Sequence, residues 1–186
     1  MFSASADYRD GYLDRDLARA IEGAIDAAPW RDTLKRRVQH YGYRYDYKAR
    51  RITPDSYLGP LPEWLEQLAG RLVADGIFAT QPDQVIINEY LPGQGIAPHV
   101  DCEPCFGDVI ASLSLGSGCV MNFAHVATGK TMARYLEPRS LLVLQGASRF
   151  EWTHGIAARK TDVVDGISVP RGRRVSLTFR TVISSS

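Results

Sequence analysis

Three shortages narrow the possibilities for this sequence before any motif is read. No apolar run approaches the roughly 20 residues of a membrane-spanning helix, and the opening residues Met1 to Asp10 carry no apolar signal-peptide core. Cysteine is scarce, with three in 186 residues. An odd, small number builds no disulfide framework, so a reducing, cytoplasmic setting is expected. An excess of one charge is missing too: Lys+Arg 22 against Asp+Glu 21 gives a net charge of +1, which excludes a protein that coats nucleic acid by bulk charge. What remains is 45% hydrophobic and 23% charged residues, the make-up of a soluble domain rather than a disordered tail. One domain spanning 1–186 is expected, since this length buries a core without staples. No contact with a membrane is expected, and the protein should be a monomer.

No internal repeat is visible, and the only soft segment is Ser184-Ser185-Ser186. Leu17, Ile21, Ala24, Ile25 and Ala28 recur at helical spacing after Asp14 and Asp16, and Pro29 closes that helix. A second helix should run from Pro62 through Trp64, Leu65, Leu68, Leu72 and Val73, with Gly76 at its C-terminal cap. After Gly76 the pattern changes to short β-branched runs. The expected strands are Gln84 to Tyr90, Val109 to Leu115, Val120 to His125, Ser140 to Gln145, Arg149 to Thr153 and Arg174 to Val182. Many short strands without helices between them point to an α+β fold, a sandwich or jelly roll with helices packed on the outside.

Two features carry chemistry. Arg174 to Arg180 alternates strictly, with Val175, Leu177 and Phe179 on one face and Arg174, Ser176, Thr178 and Arg180 on the other. The polar face is either a solvated outer surface or the lining of a pocket inside the barrel. His99-Val100-Asp101 places an imidazole and a carboxylate two residues apart, on one side of an extended segment. His154 lies downstream, at the end of an expected strand. Together they make a two-histidine, one-carboxylate set, which leaves half of an octahedral iron open. The competing reading of His99 and Asp101 is a surface turn, given Pro92, Gly93, Gly95 and Pro98 nearby.

The ordered set Asn88-Glu89-Tyr90-Leu91-Pro92-Gly93-Gln94-Gly95-Ile96, His99-Val100-Asp101, Ser112 to Ser117, Arg139 to Leu142, Trp152 to Ile156 and the seven-residue frame Arg174 to Arg180 resembles the AlkB family of Fe(II)- and 2-oxoglutarate-dependent dioxygenases. It is most similar to the homologue that hydroxylates a tRNA wobble uridine. The resemblance runs over roughly residues 35 to 182. It implies a double-stranded β-helix (jelly roll, cupin-like), with helices and a nucleotide-recognition lid in residues 1–80 and the catalytic core in 81–183. Fe(II) would be held by His99, Asp101 and His154, with 2-oxoglutarate and O2 as cosubstrates. Arg174 would pair with the distal carboxylate of 2-oxoglutarate, and Arg180 would lie near its other end. Asn88, Tyr90 and Ser176 would add hydrogen bonds. A bidentate guanidinium suits a carboxylate better than lysine would. Six residues of strand span roughly 20 Å, so two arginines sharing one small ligand must lean toward one another.

The substrate signal is a local one. Arg31, Lys35, Arg36, Arg37, Arg44, Lys48, Arg50 and Arg51 crowd one stretch with only Asp32 and Asp46 against them, interleaved with His40, Tyr41, Tyr43, Tyr45 and Tyr47. Cations and aromatics suit phosphates and unstacked bases respectively; the plain alternative is an edge strand with a tyrosine face. Arg36, Arg37, Tyr41 and Tyr43 are the substrate candidates from this stretch. Glu103 joins them because its place in the family faces the target base. Cys102-Glu103-Pro104-Cys105 is read as a plain active-site loop rather than a second metal site or a redox pair. The activity implied is oxidative dealkylation of damaged DNA or RNA bases, yielding succinate, CO2 and formaldehyde. The alternatives are tRNA wobble-uridine hydroxylation and, in a different class, an inactive jelly-roll binding module.

Overall fold

Asp14 caps the first helix, accepting a hydrogen bond from the Leu17 amide at 2.8 Å. That helix, α1 (Arg15–Ala27), buries Ala18, Ile21 and Ile25 along one stripe. Pro62 caps α2 (Glu63–Ala74), which buries Leu65, Leu68, Ala69 and Leu72. Both helices match the sequence expectation to within about two residues at each end. The structure, a computed structural model, describes residues 6–32 and 34–183. The Ser184–Ser186 segment and the first five residues lie outside them.

The strands are β1 (Ala6–Arg9), β2 (Val38–Tyr41), β3 (Gln84–Tyr90), β4 (Ile96–His99), β5 (Ile110–Gly116), β6 (Cys119–His125), β7 (Thr131–Leu136), β8 (Leu141–Leu144), β9 (Trp152–Ile156), β10 (Thr161–Val164), β11 (Ile167–Pro170) and β12 (Arg174–Arg180). They form a six-stranded sheet in the order β1-β8-β5-β12-β3-β2, a four-stranded sheet in the order β4-β9-β6-β7, and a separate β10-β11 hairpin. The two larger sheets face one another as a jelly roll.

Period-two alternation sorts each central strand between two cores. Val85 and Ile87 of β3, Ala111, Leu113 and Leu115 of β5, Leu141 and Val143 of β8, and Val175, Leu177 and Phe179 of β12 pack with α1 and α2. Alternate residues face the interior between the sheets, where Tyr90, Ile110, Leu142 and Leu144 meet Met121, Phe123, Trp152 and Ile156. Burial on both faces explains why β3 reads as an unbroken buried run.

Four expectations need correction. The stretch from Arg149 to Thr153 is not one strand. A short helix, α3 (Ala147–Phe150), follows Gly146 at φ 53°, and β9 begins only at Trp152. The left-handed turn at Gly146 and the Ser148 hydroxyl, which bonds both the amide and the carbonyl of Gln145, wind the chain before the strand starts. His154 therefore sits in mid-strand rather than at a strand end. Strands β1, β4, β7 and the β10-β11 hairpin are not among the expected ones, their apolar patterns being short or broken, and β2 is the short edge strand offered as the alternative for the tyrosine-rich stretch. Finally, Cys102 and Cys105 form a disulfide rather than a plain loop. A turn in which the Cys105 amide donates to the Cys102 carbonyl brings their Cα atoms to 5.2 Å.

Candidate metal centre and its cavity

His99 ends β4 and lies directly opposite His154 of β9 in the register of the small sheet. The two rings are 4.4 Å apart, centre to centre. That pairing requires Gly155, because a Cβ there would lie 2.9 Å from the Pro98 nitrogen and 3.1 Å from the Ile96 carbonyl. Asp101 follows two residues after His99. Its Oδ1 stands 3.4 Å from His99 Nε2 and 3.5 Å from His154 Nε2. All three ligand atoms fall within 4.8 Å of one another, a spacing that fits three ligands on one face of a metal ion. His99 Nδ1 lies 2.8 Å from the Ala97 carbonyl oxygen. A carbonyl can only accept, so Nδ1 carries the proton and the Nε2 lone pair stays free.

The electrostatics favour the metal-ready protonation state. Burial pushes the Asp101 carboxyl upward, but the charge of Arg180, with the His154 and His99 imidazoles beside it, outweighs this and holds the group well below the ordinary carboxylate range. Arg180 Nη1 donates to Asp101 Oδ2 at 2.9 Å, leaving Oδ1 turned toward the imidazoles. Burial lowers the His154 pKa, with Asp101 opposing, so its imidazole is neutral near pH 7.

The triad opens into a cavity of about 370 Å3. The whole polar face of β12, Arg174, Ser176, Thr178 and Arg180, lines this cavity, which decides for the pocket lining over the solvated face. Asn88 and Tyr90 of β3 stand beside them, since the register pairs Ser176 with Asn88 and Arg174 with Tyr90. Arg174 is 2% exposed and Nη2 donates to Ser114 Oγ at 2.8 Å. Its Nε and Nη1 are buried without a partner. Two unsatisfied donors on one buried guanidinium leave it short of an anionic partner such as a carboxylate. This observation fits 2-oxoglutarate to the cavity, as the donor set of the triad fits Fe(II). Arg180 lies at the other end of the polar face, committed to Asp101 and to Gln84 Oε1 at 3.1 Å.

The basic stretch divides between roles. Arg36, Tyr45, Tyr47 and Arg50 reach the cavity, with Leu34. Arg36 Nε donates to Asn88 Oδ1 at 2.9 Å, tying the stretch to a candidate cofactor residue. Arg37 instead makes a two-point ion pair with Glu89 at 2.6 and 2.9 Å and lies over Trp30. Tyr41 packs on Trp64 and donates to Gln39, and Tyr43 packs on Tyr57. Glu103 is exposed on its turn and does not line the cavity. The tyrosines at 41, 43, 45 and 47 share a parity that suggests one face, but β2 stops at Tyr41. Gly42 then turns the chain at φ 73°, where a Cβ would strike the Asp83 carbonyl, and the parity is lost. Ser114, Gln84 and Arg149, none of them a site candidate in the sequence reading, also contact the site. Ser112-Leu113-Ser114 was the one available signal, as its serines alternate with core leucines.

A family profile described as the 2OG-Fe(II) oxygenase superfamily matches residues 26–180. The chain is 38% identical over 186 aligned residues to the tRNA (carboxymethyluridine(34)-5-O)-methyltransferase alkbh8 of Xenopus tropicalis, covering 91% of this chain and 30% of that protein. It is 37% identical over 182 residues to the alkylated DNA repair protein ALKBH8 homolog of Arabidopsis thaliana, covering 86% of this chain and 53% of that protein. The chain thus spans about half or less of the length of these two curated relatives. Among solved structures, OsALKBH1 superposes with a TM-score of 0.71 at 18% identity, covering 97% of this chain and 98% of that one, a likeness of fold.

Proposed function

The chain belongs to the 2OG-Fe(II) oxygenase superfamily, in its AlkB family, and from that premise we propose that it oxidatively dealkylates damaged nucleic-acid bases in DNA or RNA. Fe(II), 2-oxoglutarate and O2 are the family's cofactors, and when bound they supply oxidation of a substrate C–H bond coupled to conversion of 2-oxoglutarate to succinate and CO2. His99, Asp101 and His154 would hold the metal, and Arg174, Asn88, Tyr90 and Ser176 the cosubstrate. A methyl carbon on a ring nitrogen, once hydroxylated, leaves as formaldehyde and restores the base.

The observation that carries this reading is the cavity lining. The same space that holds the triad is lined by Tyr45, Tyr47, Arg36 and Arg50. Aromatic faces stack on an unpaired base while guanidiniums meet the flanking phosphates. A base taken out of a duplex costs a few kcal/mol to unstack, so single-stranded or damaged sites are the easier substrates. A second reading, hydroxylation of a wobble-uridine side chain in tRNA, is favoured by the relatives whose names specify uridine 34 of tRNA.

Formaldehyde separates the two. Incubation with methylated oligonucleotides and, in parallel, with tRNA should give formaldehyde and succinate from the former. Succinate from tRNA alone, with a mass gain of one oxygen and no formaldehyde, would overturn dealkylation in favour of the second reading. Arg36→Glu with Arg50→Glu should weaken oligonucleotide binding most at low salt. Unchanged affinity at low salt would remove the lid from the argument.

A further inference from the structure

Asp101 is held at two points by two different arginines, and only one of them touches its carboxylate. Residues 100 to 109 form neither helix nor strand, apart from a single bridge between Phe106 and Val182. Such a segment has no ladder of its own to fix the carboxylate's position. Arg149, on α3 just ahead of the strand that carries His154, fills the hollow behind it. The side chain is 2% exposed. Its Nη1 donates to the Asp101 carbonyl at 2.9 Å, with longer contacts from Nη2 to the Cys102 carbonyl at 3.5 Å and from Nε to the Gly107 carbonyl at 3.4 Å. Each donor direction of one rigid, planar group is therefore aimed at a different main-chain oxygen of the same loop.

We propose that Arg149 is a positioning residue for the metal centre: it sets the main chain of the Asp101 loop against the strand bearing His154, and so fixes the spacing of two of the three metal ligands. The inference rests on the reading of His99, Asp101 and His154 as the metal ligands. Among the described residues, no carboxylate lies within ion-pair distance of the Arg149 guanidinium. A buried cation held by main-chain carbonyls and the face of the Phe150 ring at 4.8 Å is costly where an apolar side chain would serve for packing alone. The short helix explains how the side chain gets there. Because α3 ends at Phe150, Arg149 is only five residues before His154 in sequence, yet its guanidinium reaches Asp101 on another segment. Arg149 thus acts on the main-chain carbonyl of Asp101 while Arg180 acts on Oδ2, and Oδ1 is left for the metal.

The test is Co(II) binding to the metal-free protein, followed by visible absorption, which reports both affinity and ligand geometry without turnover. Arg149→Met removes the donors and keeps much of the volume, and Arg149→Lys keeps one charged donor. Groups that orient metal ligands typically contribute about 10–100-fold to metal affinity. Arg149→Met should bind Co(II) weaker by about that factor, with a changed spectrum, and Arg149→Lys should fall between it and the wild type. Leu65→Ala, a cavity in α2 against the far face of the large sheet, is the control for general destabilisation. It should lower the melting temperature and leave Co(II) affinity and spectrum at wild-type values. If Arg149→Met does not fold, Arg149→Lys decides by the same spectrum. Wild-type affinity and spectrum in a folded Arg149 variant would overturn the positioning role. A wild-type protein that binds no Co(II) would instead overturn the triad itself.

Discussion

Arg174→Met should uncouple cosubstrate binding from stability in opposite directions. In the folded chain Arg174 spends one nitrogen on Ser114 and leaves Nε and Nη1 buried and unpartnered. A hydrogen bond to a charged group contributes about 1.5–3 kcal/mol. One such bond to a 2-oxoglutarate carboxylate therefore amounts to roughly 10–10²-fold in affinity at about 1.4 kcal/mol per decade. Meanwhile a buried donor without a partner costs the empty protein about 1–3 kcal/mol, and methionine is a flexible apolar filler of the same space. The variant should melt no lower than the wild type in the absence of cosubstrate. Calorimetric titration of 2-oxoglutarate into Mn(II)-loaded protein measures the first quantity and thermal unfolding of the empty protein the second. Arg174→Lys, a compact point charge in place of a planar guanidinium, should recover only part of the affinity. Wild-type 2-oxoglutarate affinity in Arg174→Met would refute the reasoning, as would a melting temperature that fell with affinity unchanged.

Two further outcomes follow from the geometry. His154→Ala should abolish Fe(II)-dependent succinate formation, because its Nε2 is one of three ligand atoms gathered within 4.8 Å; turnover at the wild-type rate would sink the metal assignment. His40 should make the fold acid-sensitive: burial first, then Arg31, Arg180 and Arg44, push its pKa from 6.5 down to about 4. The unfolded chain takes up the proton as pH falls through 6.5, while the folded chain refuses it until about 4. Stability should therefore drop across that window, by at most about 3 kcal/mol and less to the extent that the ring is solvated. Urea midpoints at pH 7 and pH 4.5 for the wild type and His40→Gln measure it, and an identical pH dependence in both would exclude His40 as the cause.

Local pattern carried much of the fold. Helical spacing with Asp14 and Pro62 as starts placed α1 and α2, and the unbroken alternation of Arg174 to Arg180 was readable because a strand buried on both faces must sort its side chains by parity. Arg149 to Thr153 misled because residues that favour strands there are wound into a helical turn by Gly146 and Ser148. The tyrosines misled for a related reason: a period-two pattern holds only as long as the strand does, and Gly42 ends it.

His99, Asp101 and His154, the arginine frame and the basic, tyrosine-rich stretch are all legible in the one-dimensional sequence, as residue types at spacings that chemistry requires. Sequence alone did not settle whether the polar face of β12 met solvent or a cavity, because alternation gives two faces without saying which is inside. The small sheet closing over that face decided it. Nor does spacing show which cations are already paired. Arg37 looks equivalent to Arg36 in sequence, but Glu89, on the face of β3 opposite Asn88 and Tyr90, claims it, while Arg36 reaches Asn88. Arg149 is the limiting case. Its role exists only because a turn of helix from one segment brings a guanidinium against the carbonyls of another, and no periodicity along the chain records a contact between segments 48 residues apart.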